Sequence, residues 1–82
     1  MSCTIEERNR ARGVIHELGK RSDVIGTDLI APARDPSGRW TIEIALDTDG
    51  LPAAVVMILG EAKMTIWDVG PRQSWWHCTA VV

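Results

Sequence analysis

Phenylalanine and tyrosine are missing from this chain, so the four tryptophans, Trp40, Trp67, Trp75 and Trp76, are its whole aromatic content. Each is therefore a strong candidate for a core or an interface. Cysteine is scarce. Cys3 and Cys78 lie too far apart for a CxxC metal spacing and are too few for a disulfide framework, so they read as reduced thiols of a cytoplasmic protein. The longest apolar run, Leu51 to Gly60, is ten residues and contains Pro52, whereas a membrane helix needs roughly 20. No membrane role is expected. The acidic start Glu6-Glu7 stands where a secretory signal would carry basic and then apolar residues, so export is not expected either. A basic excess is also lacking: nine Lys and Arg face eleven Asp and Glu, for a net charge of −2. That balance speaks against a domain-wide footprint for duplex nucleic acid.

What is present is the pattern of one small domain of 82 residues, 45% of them apolar. No linker, low-complexity tract or internal repeat is evident in the sequence. Thr4 followed by Glu7 forms a capping box, which opens a helix. Ala11, Val14, Ile15 and Leu18 then fall on one stripe of a 3.6-residue period. Gly19 offers a left-handed stop, with Lys20 and Arg21 beside it to suit the negative end of the helix.

After Ser22 the period changes to two. Trp40, Ile42, Ile44 and Leu46 alternate with Thr41, Glu43 and Ala45, which marks a strand with two distinct faces. Val24 to Ala31 reads as a second strand, joined to it through the turn residues Asp35-Pro36-Ser37-Gly38 as an antiparallel hairpin. Asp47-Thr48-Asp49-Gly50 reads as another such turn. Residues 52–63 suit either a strand or a short helix, and Val55, Val56 and Ile58 weigh toward the strand because β-branched residues favour strands. The elements together predict an α+β domain: one N-terminal helix at about 4–19, packed on a five-stranded antiparallel meander sheet with strands at about 23–31, 39–47, 53–60, 63–69 and 74–82.

One helix covers one sheet face, and the other face would hold Asp28, Thr41 and Glu43. Trp75 and Trp76 must point to opposite sides, although alternation does not say which goes where. With a third strand apolar on both faces, the uncovered side is expected to form a homodimer or to receive another protein. Trp67, Trp75 and His77 are the candidate residues of that interface or ligand face.

Arg8, Arg12 and His16 follow each other at spacings of four on the helix and form a candidate anion-contact column. The first 22 residues hold five basic and three acidic groups and the remainder four and eight, so the field of that column is modest. No metal site is expected. Aligning Gly50 to the glycine of a calcium loop puts Ala45 and Val56 where oxygen ligands are required, and His77 and Cys78 point away from each other on a strand. A Cys78–His16 nucleophile lacks any supporting motif, and an acid–base site from Asp28, Glu43 and His77 would need a shared dimer cleft. The chain thus reads as a small cytoplasmic homo-oligomeric interaction or small-ligand-binding module with no cofactor and no catalysis of its own. The alternative is a nucleic-acid-associated regulator that uses Arg8, Arg12 and exposed tryptophans.

Overall fold

The computed structural model describes residues 4–34, 38–72 and 74–82, and for Thr4 the backbone alone. The capping box at Thr4, Cys3, and most of the turn Asp35-Pro36-Ser37 lie outside the described residues. The elements in order are α1 (Thr4–Leu18), β1 (Val24–Ile30), a 3₁₀ turn (Pro32–Arg34), β2 (Thr41–Leu46), α2 (Ala53–Glu61), β3 (Thr65–Pro71) and β4 (Trp76–Val81). The four strands form one antiparallel sheet in the order β1-β2-β4-β3. The fold is α+β, but the five-stranded meander with a single helix is corrected on two counts.

First, residues 53–61 are helical. Val55 and Leu59, four apart, are fully buried, whereas Val56 and Met57 are exposed at 42% and 64%, which is the signature of one buried stripe on a helix. The β-branched residues that suggested a strand report only fit to a pleated, half-buried surface, and here packing against α1 and β3 decides otherwise. The helix ends in a Schellman-type turn: the Met64 N–H donates to the Leu59 carbonyl at 2.9 Å and the Lys63 N–H to the Gly60 carbonyl at 3.0 Å. Lys63 takes the left-handed conformation there, at φ 59°, although no glycine is available for it. Buried Met64 completes the motif against Leu59.

Second, β2 and β3 are not neighbours. Both pair with β4 in the antiparallel sense, so they run parallel to each other with β4 between them, and a parallel connection needs a crossover that α2 supplies. Asp47-Thr48-Asp49-Gly50 therefore leads into a helix rather than closing a hairpin. Thr48 donates to the Gly50 carbonyl at 2.6 Å, and Gly50 adopts φ 145°, which favours glycine.

Gly19 also departs from expectation. It is not in the left-handed region; α1 ends instead through Lys20 N–H to Glu17 C=O at 3.2 Å and Arg21 N–H to Leu18 C=O at 3.0 Å. Arg21 then grips Asp23 through two hydrogen bonds of 2.9 and 2.8 Å, a bidentate pair that holds the entry to β1. That bond keeps the Asp23 carboxyl below its ordinary pKa.

The core lies between the helices and one sheet face. Ala11, Val14 and Leu18 of α1 and Val55 and Leu59 of α2 meet Ile42, Ile44 and Leu46 of β2 and Cys78 and Ala80 of β4. The even-numbered residues of the two central strands thus face the helices, Trp76 among them. The order helix, hairpin, helix, hairpin repeats one unit twice. The second strands of the two hairpins pair at the centre of the sheet, from Thr41↔Val81 to Leu46↔Trp76. This repetition is one of topology and leaves no trace in the sequence.

The phase of α2 gives a direct test. Leu59→Ala should cost about 2–5 kcal/mol in urea unfolding, as deletion of a buried leucine does, whereas Met57→Ala should stay within about 0.5 kcal/mol. A strand at 53–60 would place Met57 and Leu59 on the same face and give both substitutions similar costs.

Candidate ligand groove on the open sheet face

Two helices on one side leave the other side of the sheet uncovered, and the strand register arranges its side chains in rows. One row runs Asp28↔Glu43↔Thr79↔Asp68 across all four strands. The next runs Gly26↔Ala45↔His77↔Gly70, small residues with one imidazole among them. Beyond that second row stand Trp75 and Arg72, in the turn that the Arg72 N–H closes on the Trp75 carbonyl at 2.7 Å. These features enclose a groove of about 360 Å³, lined by Asp28, Glu43, Ala45, His77, Arg72 and Trp75, with Gly26 at its floor. A Cβ added at Gly26 or Gly70 would meet nothing within 4 Å, so no neighbouring atom forces glycine at either position.

His77 is the polar centre of the groove. Its side chain is nine-tenths buried, and Nε2 lies 2.7 Å from Thr79 Oγ1 and 3.4 Å from an Arg72 guanidinium nitrogen. The Thr79 hydroxyl can donate or accept, whereas the guanidinium can only donate, so the closer contact of Nε2 is the one to Thr79. Nδ1 is buried without a hydrogen-bond partner, and Asp68 Oδ2 lies 4.0 Å from it.

The carboxylates of the groove are exposed to water. Asp28 and Glu43 sit directly opposite each other on neighbouring strands and on the same face, an arrangement in which like charges repel. Neither has an ion-pair or hydrogen-bond partner among the described residues. The groove therefore carries negative charge toward β1 and β2, and positive and donor groups toward the β3–β4 turn.

Of the residues singled out in the sequence, Trp75 and His77 come together in this groove. Trp67 does not: it occupies a bulge of the edge strand β3, 62% exposed and outside the groove lining. Arg8, Arg12 and His16 belong to α1 and are absent from the groove lining. Arg8 is half-buried with an unpartnered Nε, whereas Arg12 and His16 are exposed, because a spacing of four drifts around the helix and carries successive residues away from the core stripe. Asp28 and Glu43 were legible from alternation; Arg72 was not, since a residue after Gly70-Pro71 reads simply as turn.

Cys78 faces away from the groove. It is fully buried in the core, where burial first and the Asp68 charge second push its thiol up to about 11. His16 is exposed on α1, outside the core cluster that holds Cys78. Among the described residues, no group of three His, Cys, Asp or Glu side chains is placed to hold a metal ion. Comparisons with protein-family models, with curated proteins and with solved structures find no match to this chain.

The thiol gives a prediction with a magnitude. A rise from the ordinary 9.0 to about 11 lowers the thiolate fraction near pH 8 by about a hundredfold. Alkylation of the Cys78 peptide by iodoacetamide, followed by mass spectrometry, should be slower by at least that factor in the native protein than in urea. Comparable native and unfolded rates would show an accessible, ionised thiol.

Proposed function

We propose that this chain is a small-ligand-binding module, without catalysis of its own, whose site is the groove on the open sheet face. One observation carries the reading: a single concavity is lined by the His77 imidazole, by two carboxylates without an ion-pair partner among the described residues, by Arg72 and by an exposed tryptophan. Concave sites that combine an apolar wall with a few convergent polar groups are where small molecules bind. The free, buried Cys78 supports a cytoplasmic setting, where thiols stay reduced. Among the described residues, no helix is long and apolar enough to cross a membrane. Nucleic acid is disfavoured on this face, because the carboxylate row beside Trp75 would repel a phosphate backbone.

The test uses a glycine that the fold leaves free to change. Gly26→Val adds a strand-favouring side chain at the groove floor where an added Cβ meets nothing, so the variant should keep its thermal midpoint. Saturation-transfer NMR against a set of several hundred small polar molecules should give binders to the native protein that lose their signal with Gly26→Val. Binders indifferent to Gly26→Val would place the site elsewhere, and a complete lack of binders would remove the reading.

Self-association is a second reading, with its location moved. The expectation of a dimer through the open sheet rested on one of Trp75 and Trp76 facing away from the helix, as the exposed Trp75 does, and on a third strand apolar on both faces. That segment is α2, and it leaves Val56 and Met57 exposed on the helical side instead. A homodimer would accordingly form through the outer surface of α2. Sedimentation equilibrium at micromolar concentration should then show a dimer that Met57→Asp dissociates; a monomer throughout would discard this reading.

A further inference from the structure

The outer side of the helical layer is not flat. Between α1 and α2 runs a valley of about 340 Å³, with Arg10, Gly13 and Glu17 on its α1 wall and Ile58, Glu61 and Ala62 on its α2 wall. A Cβ added at Gly13 would meet nothing within 4 Å, so the room that this mid-helix glycine leaves is open to whatever packs from outside. The two walls differ in charge. Arg8, Arg10 and Arg12 fall in the middle of α1, whereas Glu61 is the one ionisable residue of α2. Glu17 is engaged by Lys20 at 3.2 Å, but exposed Arg10 and Glu61 have no ion-pair partner within 4.0 Å among the described residues. They line the same valley from opposite walls without bridging it. Met57, 64% exposed, stands four residues before Glu61 and so on the same side of α2. Apolar surface and unmatched charges of opposite sign thus share one face, which makes that face complementary to a copy of itself.

Resting on the self-association reading, we propose that the valley between α1 and α2 is the contact surface for a second copy of this chain, in which Arg10 of each copy pairs with Glu61 of the other and Met57 packs on the opposite α1. A two-fold axis along the valley lays the α1 wall of each copy on the α2 wall of the other. Every contact is then made twice, and the opposite charges that fail to meet within one copy meet between two. An axis across the valley would instead set each arginine-bearing wall against its own counterpart, which like charges disfavour.

Charge exchange, read by sedimentation equilibrium of the full chain at micromolar concentration and low ionic strength, tests the pairing. The native chain should dimerise. Arg10→Glu and Glu61→Arg should each raise the dissociation constant by at least about tenfold, because each sets like charges opposite one another twice per dimer. The double variant should return it to within about threefold of the native value, the recovery that a direct contact gives in a double-mutant cycle. Both positions are exposed, so every variant should keep the native far-ultraviolet circular dichroism and thermal midpoint. A dimer that Met57→Asp dissociates but both single charge variants leave intact would keep the α2 contact and overturn the valley pairing. Single variants that weaken the dimer with no recovery in the double variant would overturn it too. A dimer indifferent to all of these substitutions would place association elsewhere, and a monomer throughout would remove self-association and the valley contact together.

Discussion

The pairing of β2 with β4 is the constraint from which the rest of this structure follows. Ile42, Ile44 and Leu46 on one strand and Cys78 and Ala80 on the other are buried together under two helices. Strand geometry then leaves no choice for their neighbours: Glu43, Ala45, His77 and Thr79 must face the other way. A register slip of one residue would exchange the two sets and drive a carboxylate and an imidazole into the core. The chemistry of the open face is thus held in place by the packing of the opposite one.

This arrangement also explains why polar groups can remain unsatisfied there. Exposed Asp28 and Glu43 keep most of their hydration, so their mutual repulsion costs little beside the burial of the central aliphatic side chains. His77 is different, because it lies deep enough to lose water while only one of its nitrogens has a partner. Thr79 and Arg72 fix the ring through Nε2. The imidazole is held in place through one nitrogen while the other stays without a hydrogen-bond partner.

Much of this was visible in the residues themselves. The alternation from Trp40 to Leu46 identified β2 and sorted its faces, and the turn residues at 35–38 pointed to its antiparallel pairing with β1. What the local pattern could not show was anything decided by distant neighbours. Pro52 to Glu61 holds helix-forming and strand-forming side chains in nearly equal measure; its helical state follows from the need to carry the chain over β4 to β3. Trp75 and Trp76 were known to diverge, but only the pairing of Trp76 with Leu46 sends it to the core side. Arg72 joins His77 because a hairpin brings its turn back over the strand, and no spacing rule announces that. The column of Arg8, Arg12 and His16 lies on α1, outside the lining of the groove.

The duplicated topology has one more implication. Helix α2 carries the chain from the end of one central strand to the start of an edge strand, spanning a connection of six residues, 47–52, before it begins. Helix α1 occupies the corresponding place with respect to β4 and β1. The order of elements is therefore a closed ring that the polypeptide enters at one of two equivalent points. A circular permutant opened within 47–52, with Val82 joined to the start of α1 through a linker of similar length, would trace the same sheet with the roles of the two halves exchanged. Covalent order along the chain and spatial order in the sheet are, in this fold, separable.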